Sequence, residues 1–268
     1  MRTIRQINRS DVAVLLVSVI VLMSNLSAIG PSGRRRAREI VCQYNLRQWH
    51  EVFQDYLERN DGQFFTGEGG SAYYWISNLD AEHLDHRKTR IWLCPEADKP
   101  SLDENGEIRD RASVFVAWGL SAGSYYAPEG MAGSYGLNGY TVDSWGGTYE
   151  GGVRASEGWR DFDTVPHSDE VPLFVDALRF DLWPLETDGP AANEFASWSG
   201  NNMARCCINR HNAAVNCLFL DGSVRKVGLK ELWTLKWHKS FNTAGPWTKA
   251  GGVTTADWPE WIRNFKDY

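Results

Sequence analysis

The sequence has no Cys-x-x-Cys pair among its five cysteines, no Walker loop, and no Gly-x-Gly-x-x-Gly opening a helix after a strand. These absences exclude a zinc ribbon, a thioredoxin-like redox centre, a P-loop and a dinucleotide fingerprint. Nucleophilic catalysis has no local Cys–His signature either. Acidic residues are scarce at the start: through Arg38 there are seven Arg against one Asp, or +6. The remainder carries 21 basic and 33 acidic residues, or −12, within a net charge of −6. An acidic body repels a phosphate backbone, so no nucleic-acid partner is expected. The basic end flanks an apolar run and suits anionic lipid headgroups.

What is present is aromatic and apolar. Hydrophobic residues make up 43% of the chain and Trp alone numbers 13, enough for a sizeable core. The uncharged run Val12–Ile29 (VAVLLVSVIVLMSNLSAI) approaches the roughly 20 residues needed to cross a bilayer. A membrane span is the favoured reading. A cleaved signal peptide competes, because Arg2, Arg5 and Arg9 form a basic leader, and a buried core helix stands third. Arg34, Arg35, Arg36 and Arg38 on the far side leave the positive-inside rule nearly balanced. Asp11, at the start of the run, reads as an interfacial carboxylate or as the partner of a cation in a neighbouring copy.

Gly30-Pro31-Ser32-Gly33 reads as a helix break. Beyond it Cys42, Leu46, Trp49, Phe53, Tyr56 and Leu57 make one apolar stripe at helical spacing. The spacing predicts an amphipathic helix from Arg34 to Arg59, roughly 39 Å long, ended by Asn60-Asp61-Gly62. After Gly62 the pattern shifts to short strands. Arg90–Pro95, Ser113–Trp118, Val171–Asp176 and Ala214–Leu220 are candidates, and Asp221-Gly222 turns the last into Ser223–Val227. Lys230–His238 has the spacing of a short helix. The class is α+β: a long helix against a small antiparallel sheet with elaborate loops.

Sites of chemistry are few. His83 and His86, among Asp80, Glu82 and Asp85, read as a solvated polar segment rather than a metal site. His211 and Asp221 bracket the clearest strand, and an imidazole–carboxylate bond holding the turn is the expected arrangement. Trp145, Trp159, Trp183 and Trp198 lie in loops, and core packing is favoured over sugar binding, although a polysaccharide-binding surface module remains the alternative function. Cys42 and Cys94 are candidates to pair with each other, and Cys206-Cys207 are too close for an ordinary disulfide. No catalytic residue, metal ligand or cofactor is expected, and the chain is read as no enzyme.

The run Arg210-His211-Asn212-Ala213-Ala214-Val215-Asn216-Cys217-Leu218-Phe219-Leu220-Asp221-Gly222 resembles the H-x9-DG motif of pseudopilin-like proteins of planctomycete-type bacteria, relatives of type II secretion pseudopilins and type IV pilins. Arg36–Glu39, Cys42–Gln48, Cys94-Pro95, Ser134–Asn138 and Leu173–Asp176 resemble that family's other landmarks, in the same order. The resemblance implies a pilin-like fold, with the first half of its N-terminal helix in the membrane. On that reading residues 1–10 are cytoplasmic, 11–30 form a transmembrane helix, and 31–268 form an extracytoplasmic domain with an amphipathic helix over 34–60. It implies a single-pass inner-membrane protein that assembles with other pseudopilin-like subunits or secretion components and touches the lipid bilayer. It also implies that His211, Asp221 and Gly222 are structural, that Cys42 and Cys94 form a disulfide, and that Asp11 takes the place of the family's assembly carboxylate. One departure is Gln6, which stands where prepilins carry the Gly before the cleavage point.

Overall fold

The computed structural model describes Asn8, Val12, residues 14–20, 30–65 and 75–79, His83, Asp85, residues 87–120, 130–144 and 146–160, Phe162, and residues 165–197 and 200–268. The chain divides into two compact units, Met1–Arg38 and Glu39–Tyr268. In the first, Val12 and residues 14–20 are helical and exposed.

Two expectations are corrected here. Among the described residues no helix is long and apolar enough to cross a membrane. The helix from Pro31 opens with Arg34, Arg35, Arg36 and Arg38, each costly in hydrocarbon. The pilin-like fold with a membrane-spanning first half, and the single-pass inner-membrane location drawn from it, are therefore not supported. Asp11 and the remainder of the Val12–Ile29 run (Ala13 and residues 21–29) lie outside the described residues.

Helix α1 runs Pro31–Arg59, three residues earlier than the spacing predicts. Pro31 does not break it, because proline at a first helical position loses a donor that would have no intrahelical partner anyway. Its stripe behaves as the periodicity requires: Cys42, Leu46, Trp49, Phe53 and Leu57 are buried. Asp61 and Gly62 adopt left-handed backbone, and the Gly62 N–H closes the helix onto the Leu57 carbonyl at 2.9 Å.

That stripe lies on a five-stranded sheet. Strands β1 (Trp118–Gly119) and β2 (Ala132–Gly133) form a separate short ladder. The main sheet is built from β3 (Tyr135–Asn138), β4 (Pro172–Asp176), β5 (Asp181–Leu182), β6 (Ala214–Phe219) and β7 (Val224–Gly228), in the order β5-β3-β4-β6-β7. All neighbours are antiparallel except β3 and β5, which pair in parallel, so the sheet is mixed rather than purely antiparallel. Trp49 is the hub of the helix–sheet interface, with ring centroids 4.5 Å from Trp92, 5.2 Å from Phe174 and 5.7 Å from Trp75. Such edge-on aromatic pairs add about 0.5–1.5 kcal/mol each beyond the area they bury.

Two predicted strands take other forms. Arg90–Trp92 is a 3-10 turn, and its Leu93 and Ile91 carbonyls accept from Asn45 and Trp49 of α1 instead of from a strand. Within Ser113–Trp118 only the isolated Ser113–Val116 and Pro100–Ala117 bridges and the start of β1 are extended pairs. The helix expected over Lys230–His238 is a 3-10 segment, Leu229–Thr234.

Candidate functional site

Where α1 crosses the sheet, four chemically active side chains from four separate segments converge. Cys42 comes from α1, Cys94 follows the Arg90–Trp92 turn, Asp176 ends β4, and His211 precedes β6. Their donor atoms all lie within 4.8 Å of one another, and all four residues are buried. His211 Nε2 is 3.1 Å from Asp176 Oδ2 and 3.3 Å from Cys94 Sγ. Cys42 Sγ is 3.7 Å from each Asp176 oxygen and receives the Tyr135 hydroxyl at 3.3 Å.

Asp176 is the centre of this cluster. Oδ1 accepts from Arg210 Nη1 at 3.1 Å, and Oδ2 accepts from the Asn216 N–H at 2.8 Å. Arg210 also donates to the Val114, Ser134 and Ala177 carbonyls, so a fully buried guanidinium has a partner on each nitrogen. Burial alone would raise the Asp176 carboxyl, but His211, Arg210 and the Asn216 N–H outweigh it and hold it down at about 2. Burial would likewise discharge His211, yet the Asp176 carboxylate holds the imidazole protonated, up to about 10. The Cys94 thiol is brought down to about 7, because its hydrogen bonds to Cys42 and His211 overcome desolvation. Burial pushes Cys42 the other way.

Of the residues expected from sequence, the structure brings His211, Cys42 and Cys94 together and leaves Asp221 apart. The expected His211–Asp221 bond is replaced by His211–Asp176. Asp221 is exposed at the turn, where Oδ1 accepts the Ser223 N–H at 2.8 Å. The turn has its own geometry: at the other end of β6, Asn212 and Ala213 are both left-handed and aim His211 inward. Gly222 has φ +82°, and a Cβ there would meet the His50 ring of α1 at 2.6 Å. Cys42 and Cys94 stand as free thiols, as do Cys206, Cys207 and Cys217, all buried.

Sequence reasoning missed Asp176 and Arg210 as site residues, although it placed a carboxylate at the end of the Val171–Asp176 strand. It also read no Gly-x-Ser-x-Gly elbow in the chain, whereas Gly119-Leu120-Ser121-Ala122-Gly123 spells one. Ser121 and Gly123 lie outside the described residues. Among the described residues the Cys42, Cys94, Asp176 and His211 group alone has metal-ligand character; His83 is not part of it, and His86 lies outside them. Asp85 bonds its own turn through the Arg87 N–H at 3.0 Å. Trp159 and Trp183 are buried, with Trp159 Nε1 donating to the Trp237 carbonyl, whereas Trp145 and Trp198 lie outside the described residues.

No family model, no curated protein and no solved structure matches this chain.

Proposed function

We propose that the chain is a non-catalytic structural subunit, of pseudopilin type, in a secretion or pilus-like assembly. The observation that carries this reading is the division of labour around α1. Cys42, Leu46, Trp49 and Phe53 are committed to the sheet, while Ile40 and Tyr44 are 54% and 57% exposed. At 3.6 residues per turn Ile40 and Tyr44 sit one above the other, roughly half a turn away from the buried stripe. An outward apolar pair on a helix already anchored to a sheet suits packing against the same helix of a neighbouring subunit. The buried cluster supports the same reading: His211 and Asp176 meet at 3.1 Å with both side chains buried, and so hold separate segments together.

The test is a photo-crosslinking amino acid at position 44 of the full chain, in the cells that make it. Crosslinks to a second copy, or to a subunit with a comparable helix, are expected, and Ile40→Asp should abolish them. A chain that yields no such crosslink and sediments as a monomer in native extracts overturns the reading.

A further inference from the structure

We propose that Cys42, Cys94, His211 and Asp176 form a structural binding site for one divalent transition metal ion of zinc type. The inference is independent of the subunit role. It begins with geometry. Zinc bonds to sulfur at about 2.3 Å and to nitrogen or oxygen at about 2.0–2.2 Å, so the edges of a tetrahedral site are roughly 3.3–3.8 Å long. The separations in the cluster are 3.1 Å for His211–Asp176, 3.3 Å for Cys94–His211 and 3.7 Å for Cys42–Asp176, and all four donor atoms lie within 4.8 Å of one another, close enough for small side-chain shifts to close them on one ion. Two sulfurs, an imidazole nitrogen and a carboxylate oxygen are also the donor set that selects zinc over magnesium or calcium.

Charge agrees with geometry. Two thiolates and one carboxylate bring three negative charges into a site that none of the four side chains exposes to solvent. Arg210, paired with Asp176 and fully buried, supplies one positive charge, and a divalent ion supplies the other two. The filled site is neutral, which a buried cluster requires. Binding displaces the Cys42 and Cys94 protons to solvent and leaves His211 neutral, with its remaining proton on Nδ1. Outer donors are already aimed at the ligands: Tyr135 hydroxyl at Cys42 Sγ, Asn216 N–H and Arg210 at Asp176. Such partners orient ligands in protein metal sites. With four protein ligands and no open position, the site is structural rather than catalytic. The ion ties α1, the segment after Arg90–Trp92, β4 and the start of β6 at one point.

The experiment uses the reduced full-length chain. Cobalt(II) is added first as a spectroscopic probe, then displaced with zinc, and the zinc-loaded protein is weighed by native mass spectrometry. One equivalent is expected, with the visible bands of tetrahedral cobalt and thiolate charge-transfer absorption. Zinc should raise the thermal midpoint, and a chelator should lower it again. Cys94→Ser should lose the thiolate absorption, while Cys206→Ser keeps it. Should Cys94→Ser not fold, the wild-type stoichiometry and spectrum decide the matter without it. Reduced wild-type protein that takes up no ion overturns the proposal. So does native protein, denatured without reductant, in which two of the five thiols are missing as a Cys42–Cys94 disulfide.

Discussion

Arg210 and Asp176 meet at 3.1 Å with neither side chain touching solvent. A buried ion pair of this kind is not strongly stabilising in itself, but removing one partner strands the other charge in low dielectric. Asp176→Asn preserves shape and removes the counter-charge of Arg210. In chelator-treated, reduced protein it should cost about 3–5 kcal/mol by urea unfolding. A loss below about 1 kcal/mol would show that Arg210 finds compensation elsewhere, for instance in the three carbonyls it already contacts. Asp176→Leu combined with Arg210→Met should recover only part of the loss, since the charge pair is gone but the Val114, Ser134 and Ala177 carbonyls and the Asn216 N–H lose their partners.

The Asp221-Gly222 turn gives a second prediction. Gly222→Ala asks an L-residue to hold φ +82°, which costs roughly 1–2 kcal/mol. Its new Cβ also collides with the His50 ring at 2.6 Å, for which overpacking adds about 1–3 kcal/mol. The imidazole can swing, so the steric part should fall at the low end. Adding His50→Ala should return that part alone and leave the backbone part. If the two substitutions are simply additive in denaturant unfolding, the turn and α1 are not in contact.

The same turn shows what was legible in the sequence. Asp221-Gly222 between two apolar runs specifies its own hairpin, because the left-handed glycine and the Asp221–Ser223 bond are local. The α1 stripe was legible for a similar reason: the 3.6-residue period marks the buried face before any partner is known. Asp176 and His211 are different. They are far apart in sequence and meet only because β4 and β6 are neighbours, a pairing that no local pattern encodes. Arg90–Pro95 misled because Ile91-Trp92-Leu93-Cys94 is a consecutive apolar run stopped by proline, as in a buried strand, whereas the backbone carbonyls there are claimed by the α1 side chains of Asn45 and Trp49. The long apolar run near the start is read from hydropathy alone. Among the described residues it yields no helix that could cross a membrane.

Asp181, on β5, predicts a pH dependence. Burial pushes its carboxyl up to about 6, despite Arg179 2.7 Å away, and its Oδ2 has no hydrogen-bond partner among the described residues. A carboxyl whose folded value lies above the unfolded 3.8 binds its proton more tightly in the native state. Its contribution to stability is therefore complete below about pH 3.8 and is lost as pH rises through about 6. The total is up to about 3 kcal/mol. Asp181→Asn should remove that slope, so the variant gains on wild type between pH 4 and 7 in chemical unfolding. Parallel stability curves across that window would mean the carboxyl is ionised throughout.

Ala213 offers the opposite kind of change, a stabilising one. It has φ +62°, and the preceding Asn212 has φ +55°, so the two reverse the chain ahead of β6 and bring the His211 N–H to the Ala214 carbonyl at 3.0 Å. Asn tolerates this conformation; Ala does so at a cost of roughly 1–2 kcal/mol, because its Cβ crowds the carbonyl. The bonds that Ala213 makes are from its backbone, N–H to Asn209 Oδ1 at 2.7 Å and carbonyl from the Leu229 N–H at 3.1 Å, so glycine keeps both. Glycine removes the strain but gains freedom when unfolded, which offsets part of the benefit. Ala213→Gly should therefore stabilise the chain by about 0.5–1 kcal/mol and raise the thermal midpoint by a few degrees. A lowered midpoint would mean that the Ala213 methyl packs more than the strain costs, and that the turn aiming His211 at Asp176 is held by contact rather than by backbone.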